Sequence, residues 1–230
     1  MFERKTYAHV FDQYTVTTLN KLESDGYIGQ LFGALGSGKE SYVFYSVDAQ
    51  EREVAVKIHR HSIYSFKKIP EYLKLRGKSS GGFLKRIDDW MKYEFTLQTK
   101  AFSIGLKVSE PYRVYNNVMV MKFIGKDGLA APLAVFSKGF AVDKWYNAII
   151  SDIIQMGKVG IIHGDLSAYN ILDFNGEPYL IDFSQALKLS SSTKSFLLRD
   201  VNNINQWFLR LKYRDILSAE EVEARIGKSL

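Results

Sequence analysis

The chain has 230 residues, no cysteine, 46% hydrophobic and 24% charged residues, a composition that excludes a disordered chain and a length that allows one large core or two small lobes. Without cysteine there is no disulfide framework, thiolate metal site or cysteine nucleophile, so any catalysis must use oxygen and nitrogen groups. Lys and Arg outnumber Asp and Glu by 31 to 25, a net +6 that favours polyanionic partners such as nucleotides or RNA.

Near the N-terminus Asp12 is a helix N-cap, and Val16, Leu19 and Leu22 recur at helical spacing until Gly26. Residues 27–47, rich in glycine, aromatic and β-branched residues, predict two strands. Residues 53–59 alternate, which sets Val54, Val56 and Ile58 on one face and Ala55 and Lys57 on the other. Residues 67–85 mix Lys, Ser and Gly and read as a mobile loop. A helix follows over 83–104, where Leu84, Ile87, Trp90, Met91, Leu97 and Ala101 form an apolar stripe that also contains Glu94. A carboxylate in an apolar stripe requires a cation.

Residues 117–125 predict a strand running into a lobe boundary. Trp145, Ile149, Ile153 and Met156 predict a buried helix ending near Gly157. The short apolar runs at 161–162, 171–172 and 179–181 read as buried strands, and one or two further helices begin at Lys194. This organisation predicts an N-terminal helical extension over 1–30, one lobe over 31–124 and a second over 125–230. No window reaches the roughly 18 to 20 apolar residues that span a bilayer, and the N-terminus carries no apolar leader; a cytoplasmic protein without a membrane partner is expected.

Asn175-Gly176 between two apolar runs is a strong signal for a two-residue hairpin turn. Folding there sets Asn170 opposite Ile181, next to Asp182. Asp165 enters the same hairpin five residues before Asn170, so two carboxylates and an amide oxygen gather at one open end. Hard oxygen donors of this kind suit Mg²⁺, with Mn²⁺ an alternative. Upstream, Gly36-Ser37-Gly38-Lys39-Glu40-Ser41 lies between strands, where glycines let backbone N–H groups approach phosphate oxygens; a plain hairpin turn explains the glycines equally well. In chain order come a glycine loop, a strand lysine, a helix with an out-of-place glutamate, then Asp, Asn and Asp. Each supplies a part that phosphoryl transfer needs.

On GSGKES at 36–41, VAVK at 54–57, Glu94 after Trp90, HGDLSAYN at 163–170 and IDFSQA at 181–186, the sequence resembles the protein-kinase superfamily and, within it, the RIO-type atypical serine/threonine kinases. Similarity continues through VFDQYTVTTLNKLESDGYI near the N-terminus and VMKFIGKDGLAAP at 120–132. It points to the first RIO subfamily, in a compact archaeal-like form, while GKES and the IHRHSIYSFKK region lean towards the second. The fold it implies is α+β and two-lobed, an antiparallel N-lobe sheet with a reduced, mainly helical C-lobe. The resemblance assigns Lys57 to the α- and β-phosphates of ATP, with Glu94 holding it, Asp165 to the attacking hydroxyl, and Asn170 and Asp182 to Mg²⁺. It assigns the loop residues Ser37, Gly38, Lys39, Glu40 and Ser41 to the phosphates, and the backbone from Lys122 to Ile124 to adenine. It further implies transient phosphorylation of Asp182, a protein serine/threonine substrate or the chain itself as acceptor, and a role with the precursor small ribosomal subunit and its rRNA. His163 is expected as a packed, hydrogen-bonded loop histidine.

Two departures from ordinary kinases matter. Gly164 replaces the arginine that receives a phosphorylated activation loop, and the stretch after Asp182 is short for peptide-binding helical subdomains. Three rival readings are an aminoglycoside- or choline-type small-molecule kinase, whose catalytic loop has the same His-Gly-Asp, a non-catalytic nucleotide-gated RNA-binding assembly factor, and a P-loop NTPase. The last fails because Glu40 stands where a hydroxyl is needed for Mg²⁺.

Overall fold

The computed structural model describes residues 11–37, 40–61 and 82–227. The chain forms two compact units: one runs to Thr96 and resumes over Ser109–Ala130, and the other comprises Leu97–Val108 and everything from Ala131 onward. The leading helix therefore belongs with the first unit, and the segment Leu97–Val108, which comes before the last two strands of the first unit's sheet, belongs with the second.

The first unit is built on a five-stranded antiparallel sheet of β1 (Ala34–Ser37), β2 (Ser41–Val47), β3 (Glu53–His59), β4 (Pro111–Tyr115) and β5 (Val118–Lys122), in the order β1-β2-β3-β5-β4. Helix α1 (Gln13–Ser24) starts where the Asp12 carboxylate accepts the Thr15 N–H at 2.8 Å. Its Leu19 and Leu22 pack with Val54, Val56 and Ile58 of β3 and with Val118 and Val120 of β5. Each such side chain contributes about 1.5–3 kcal/mol on burial. Because strand side chains alternate, the opposite face of β3 carries Ala55, Lys57 and His59, and these are buried too. The Asn117 amide joins the layers: its Nδ2 donates to Thr15 Oγ1 of α1 and to the His59 carbonyl, both at 2.9 Å.

Helix α2 (Phe83–Ser103) matches the predicted span closely, and Ile87, Trp90, Met91, Leu97 and Ala101 are buried. Leu84 is a correction, since it is 41% exposed in the first turn. Two short strands, β6 (Gly125–Lys126) and β7 (Leu129–Ala130), form a ribbon. Gly125 is required there: a Cβ would stand 2.3 Å from the Leu129 carbonyl oxygen.

In the second unit, helix α3 (Val142–Lys158) buries Trp145, Tyr146, Ile149, Ile150, Ile153 and Met156. These pack with α4 (Lys194–Arg210) and α5 (Ala219–Ile226), with Phe140 stacked on Trp145 at 4.2 Å and Tyr146 edge-on to Phe208 at 5.2 Å. The helix ends at Lys158, one residue past Gly157, as the spacing predicts. Gly157 also marks a close approach, because a Cβ would lie 2.4 Å from Ile226 Cδ1 on α5. The chain turns only at Gly160, whose φ is +75°. Among the described residues no helix is long and apolar enough to cross a membrane.

Candidate active site

After α3, β8 (Ile161–Ile162) is followed by a loop and a 3₁₀ turn at Ala168–Asn170. Then come β9 (Ile171–Phe174) and β10 (Glu177–Leu180), which form the predicted hairpin with Leu172 opposite Tyr179 and Ile171 opposite Leu180. Asn175 and Gly176 both have positive φ, 56° and 76°, the backbone of a type I′ turn. The register continues one step beyond the strands, where the Ile181 N–H donates to the Asn170 carbonyl at 3.0 Å. A second 3₁₀ turn at Phe183–Gln185 leads to β11 (Leu187–Lys188), which pairs back onto β8. The chain thus leaves β8, makes the hairpin and returns to the same strand, which draws residues 163–170 and 181–186 together.

Within that enclosure Asn170 Nδ2 donates to the Asp165 carbonyl at 2.7 Å and lies 3.4 Å from Asp165 Oδ2. Burial, reinforced by the charge of Asp182, raises the Asp165 pKa above the usual carboxylate range. The two carboxylates therefore sense one another, as the hairpin register requires. Asp182 sits in the left-handed region at φ 64°, ψ 75°, and its Oδ1 accepts the Ser184 N–H at 3.1 Å. An aspartate tolerates that backbone better than most residues and fixes it by this short-range bond. His163 is 1% exposed, with Nε2 3.0 Å from the Ile181 carbonyl and its ring 4.9 Å from Phe183.

The peptide groups around Asp165 are gripped from α4. Asp200 accepts the N–H of Gly164 at 2.7 Å and of Leu166 at 2.9 Å, while Arg199 donates to the Gly164 carbonyl. Burial pushes the Asp200 pKa up to about 7, outweighing the two backbone bonds. Gly164 has φ +82°, and a Cβ there would stand 2.3 Å from the Gln185 carbonyl oxygen. Close packing, together with the backbone turn, explains why glycine occupies this position.

In the first unit Lys57 and Glu94, 3% and 0% exposed, form an ion pair with Nζ 2.5 Å from Oε1. The out-of-place glutamate of α2 thus meets the strand lysine. Ser37 ends β1 opposite Tyr42, Ser41 pairs with His59, and the Glu40 carbonyl accepts the Arg60 N–H at 2.9 Å. Gly38, Lys39 and residues 67–81 of the expected mobile loop lie outside the described residues. Of the backbone groups at 122–124, the Lys122 N–H is bonded to the Glu110 carbonyl, the Phe123 N–H to the Glu53 carbonyl, and the Lys122 carbonyl accepts the Ser109 hydroxyl.

His59, Arg199 and Asp200 escape a motif search. Asp200 shares its signal with Glu94, since both are carboxylates inside an apolar helical stripe, here between Leu197 and Val201. His59 lies two residues beyond Lys57, on the same strand face.

For a divalent cation the donor set fits. Asn170 spends its amide nitrogen on Asp165, which leaves the amide oxygen as its hard donor, and Asp182 adds a carboxylate. No group of three or more His, Cys, Asp or Glu gathers among the described residues; a Mg²⁺ held by Asn170 and Asp182 would draw its other ligands from water and phosphate, as Mg²⁺ commonly does.

Comparison with known proteins identifies the family and the fold. The RIO domain family matches residues 42–222. The chain is 30% identical over 208 residues to the RIO-type serine/threonine-protein kinase Rio1 of Haloferax volcanii, covering 87% of this chain and 71% of that protein. It is 30% identical over 232 residues to serine/threonine-protein kinase rio1 of Dictyostelium discoideum, covering 96% of this chain but only 40% of the relative. Among solved structures, the Rio2 kinase–ADP/Mg²⁺–phosphoaspartate complex from Chaetomium thermophilum superposes with a TM-score of 0.71 at 22% identity, over 92% of this chain and 66% of that one. The fold is therefore the protein-kinase-like RIO fold, and the chain belongs to the RIO domain family.

Proposed function

We propose that the protein is an ATP- and Mg²⁺-dependent phosphotransferase of the RIO type that transfers the γ-phosphoryl group to a serine or threonine hydroxyl, or to water by way of an aspartyl phosphate. The observation that carries this reading is the enclosure of Asp165, Asn170 and Asp182 between β8 and β11, with Asp165 anchored through its flanking peptides by Asp200. Family membership supports it, as do the names of the Rio1 relatives.

In this reading Lys57 neutralises the α- and β-phosphates, and Glu94 keeps its ammonium from swinging away. Ser37, Gly38, Lys39, Glu40 and Ser41 cover the phosphates, and the Ile124 N–H and Lys122 carbonyl hold the adenine edge. Asp165, whose raised pKa brings it nearer neutrality than a free carboxylate, orients the acceptor hydroxyl and takes its proton. Asn170 and Asp182 would hold Mg²⁺, which would supply charge neutralisation to the triphosphate. The phosphoaspartate of the Rio2 complex supports Asp182 as a transient acceptor. Its carboxylate oxygen would bond to the γ-phosphorus as the bond to the ADP oxygen breaks, and water would later release phosphate.

The net charge of +6 suits a polyanionic partner; we take this to be the rRNA of a precursor small ribosomal subunit and set the protein in the cytoplasm. The test is Asp165→Ala, assayed for ATP turnover and for nucleotide binding. Loss of turnover by about 10²–10⁴-fold is the expected size for a general base, with ATP affinity kept within about threefold. Unchanged turnover would remove the reading.

A further inference from the structure

The carboxylate of Glu94 has two oxygens, and the kinase reading uses one. Oε1 meets Lys57 at 2.5 Å; Oε2 meets His59 Nε2 at 3.1 Å. Because a carboxylate oxygen accepts, the hydrogen of this bond sits on Nε2. His59 and Lys57 are two residues apart on β3 and share a face, so both reach the same carboxylate from one strand.

The imidazole is held in place independently of Glu94. Its ring lies edge-on to Trp90, one helical turn before Glu94, with centroids 4.4 Å apart. Its peptide is clamped by Asn117, whose carbonyl accepts the His59 N–H at 2.9 Å and whose Nδ2 donates to the His59 carbonyl at 2.9 Å. His59, Lys57 and Glu94 are 1%, 3% and 0% exposed, so water does not screen these contacts. A carboxylate bound through one oxygen can rotate about its final bond; bound through both, it presents Oε1 in one direction only.

We propose that His59 is a positioning residue for phosphoryl transfer: it holds Glu94 through Oε2 and thereby fixes where Lys57 presents its ammonium. The inference rests on the phosphotransferase reading for its consequence in turnover, but the positioning of Lys57 stands apart from it. Loss of the bond leaves Lys57 charged and Glu94 buried but lets the pair swivel. The effect falls on kcat more than on KM for ATP, because orientation is lost and not charge.

The experiment compares wild type with His59→Ala, His59→Gln, Glu94→Gln and the double variant His59→Ala/Glu94→Gln. Turnover is measured alongside the ¹³Cε resonance of Lys57, read without nucleotide in lysine-labelled protein. Displacement of a reacting group by about 1 Å costs up to about 10²-fold, so His59→Ala is expected to lower kcat about tenfold or more with KM changed less than threefold, and to move the Lys57 resonance. His59→Gln, whose amide N–H can reach the same oxygen, restores both to near wild type. In the Glu94→Gln background the His59→Ala change adds little. Equal loss in the Ala and Gln variants, or full additivity with Glu94→Gln, overturns the proposal by showing that His59 only packs. Absence of turnover in wild type sinks the phosphotransferase reading, and the Lys57 resonance in the Ala and Gln variants then decides the positioning by itself.

Discussion

Asp200 holds the backbone on both sides of Asp165, accepting the Gly164 N–H at 2.7 Å and the Leu166 N–H at 2.9 Å. A carboxylate that is 1% exposed thereby anchors a half-buried one, and α4 dictates where the loop stands.

Burial raises the Asp200 pKa to about 7 from the ordinary value of 3.8, so the folded protein binds this proton more tightly than the unfolded chain does. The associated stability is fully present below the unfolded value and is lost as pH rises towards 7. Asp200→Asn, which cannot charge, should flatten the fall in Tm between pH 4 and pH 7. It should also lower turnover, because one of the two N–H groups loses its acceptor. An unchanged pH dependence of Tm would show that Asp200 does not titrate in this range.

Gly164 stands where ordinary kinases carry arginine, and it cannot be replaced cheaply. Its φ of +82° and the 2.3 Å approach of a Cβ to the Gln185 carbonyl both oppose a side chain. Gly164→Ala should cost about 1–3 kcal/mol from backbone strain alone, with more from the clash, read by denaturant unfolding. A fully stable alanine variant would mean that the Gln185 carbonyl yields freely.

Lys57→Met removes the cation from a buried carboxylate. Breaking such a pair from one side costs about 3–5 kcal/mol, so the single variant should be strongly destabilised, and Lys57→Met/Glu94→Gln should recover a large part of the loss. Urea midpoints of the wild type and the two variants check this. A double variant less stable than the single would show that Glu94 is not the group left uncompensated.

Gly157 is the last-but-one residue of α3, and replacing a helical glycine by alanine ordinarily stabilises by up to about 1 kcal/mol. Here the sign should reverse, because the new Cβ would lie 2.4 Å from Ile226 Cδ1. Gly157→Ala should lower Tm, and adding Ile226→Val should restore part of it. A raised Tm in the single variant would mean that α5 shifts without cost.

Local signals in the chain determine most of the secondary structure and half of the site. Strand alternation puts Lys57 on the face opposite Val56, helical periodicity marks Glu94 as out of place, and Asn175-Gly176 sets a hairpin register that brings Asn170 beside Asp182. Each of these depends on neighbours close in sequence, where the geometry of a strand, helix or turn is fixed by the backbone. Tertiary packing decided the remainder. The grip of Asp200 and Arg199 on the Asp165 loop, the second hold of His59 on Glu94, and the service of Gly157 as a contact with α5 all join residues far apart in the chain. Periodicity reports that a residue is buried but is silent on its partner, because the partner is selected by how separate elements pack, and no local spacing encodes that choice.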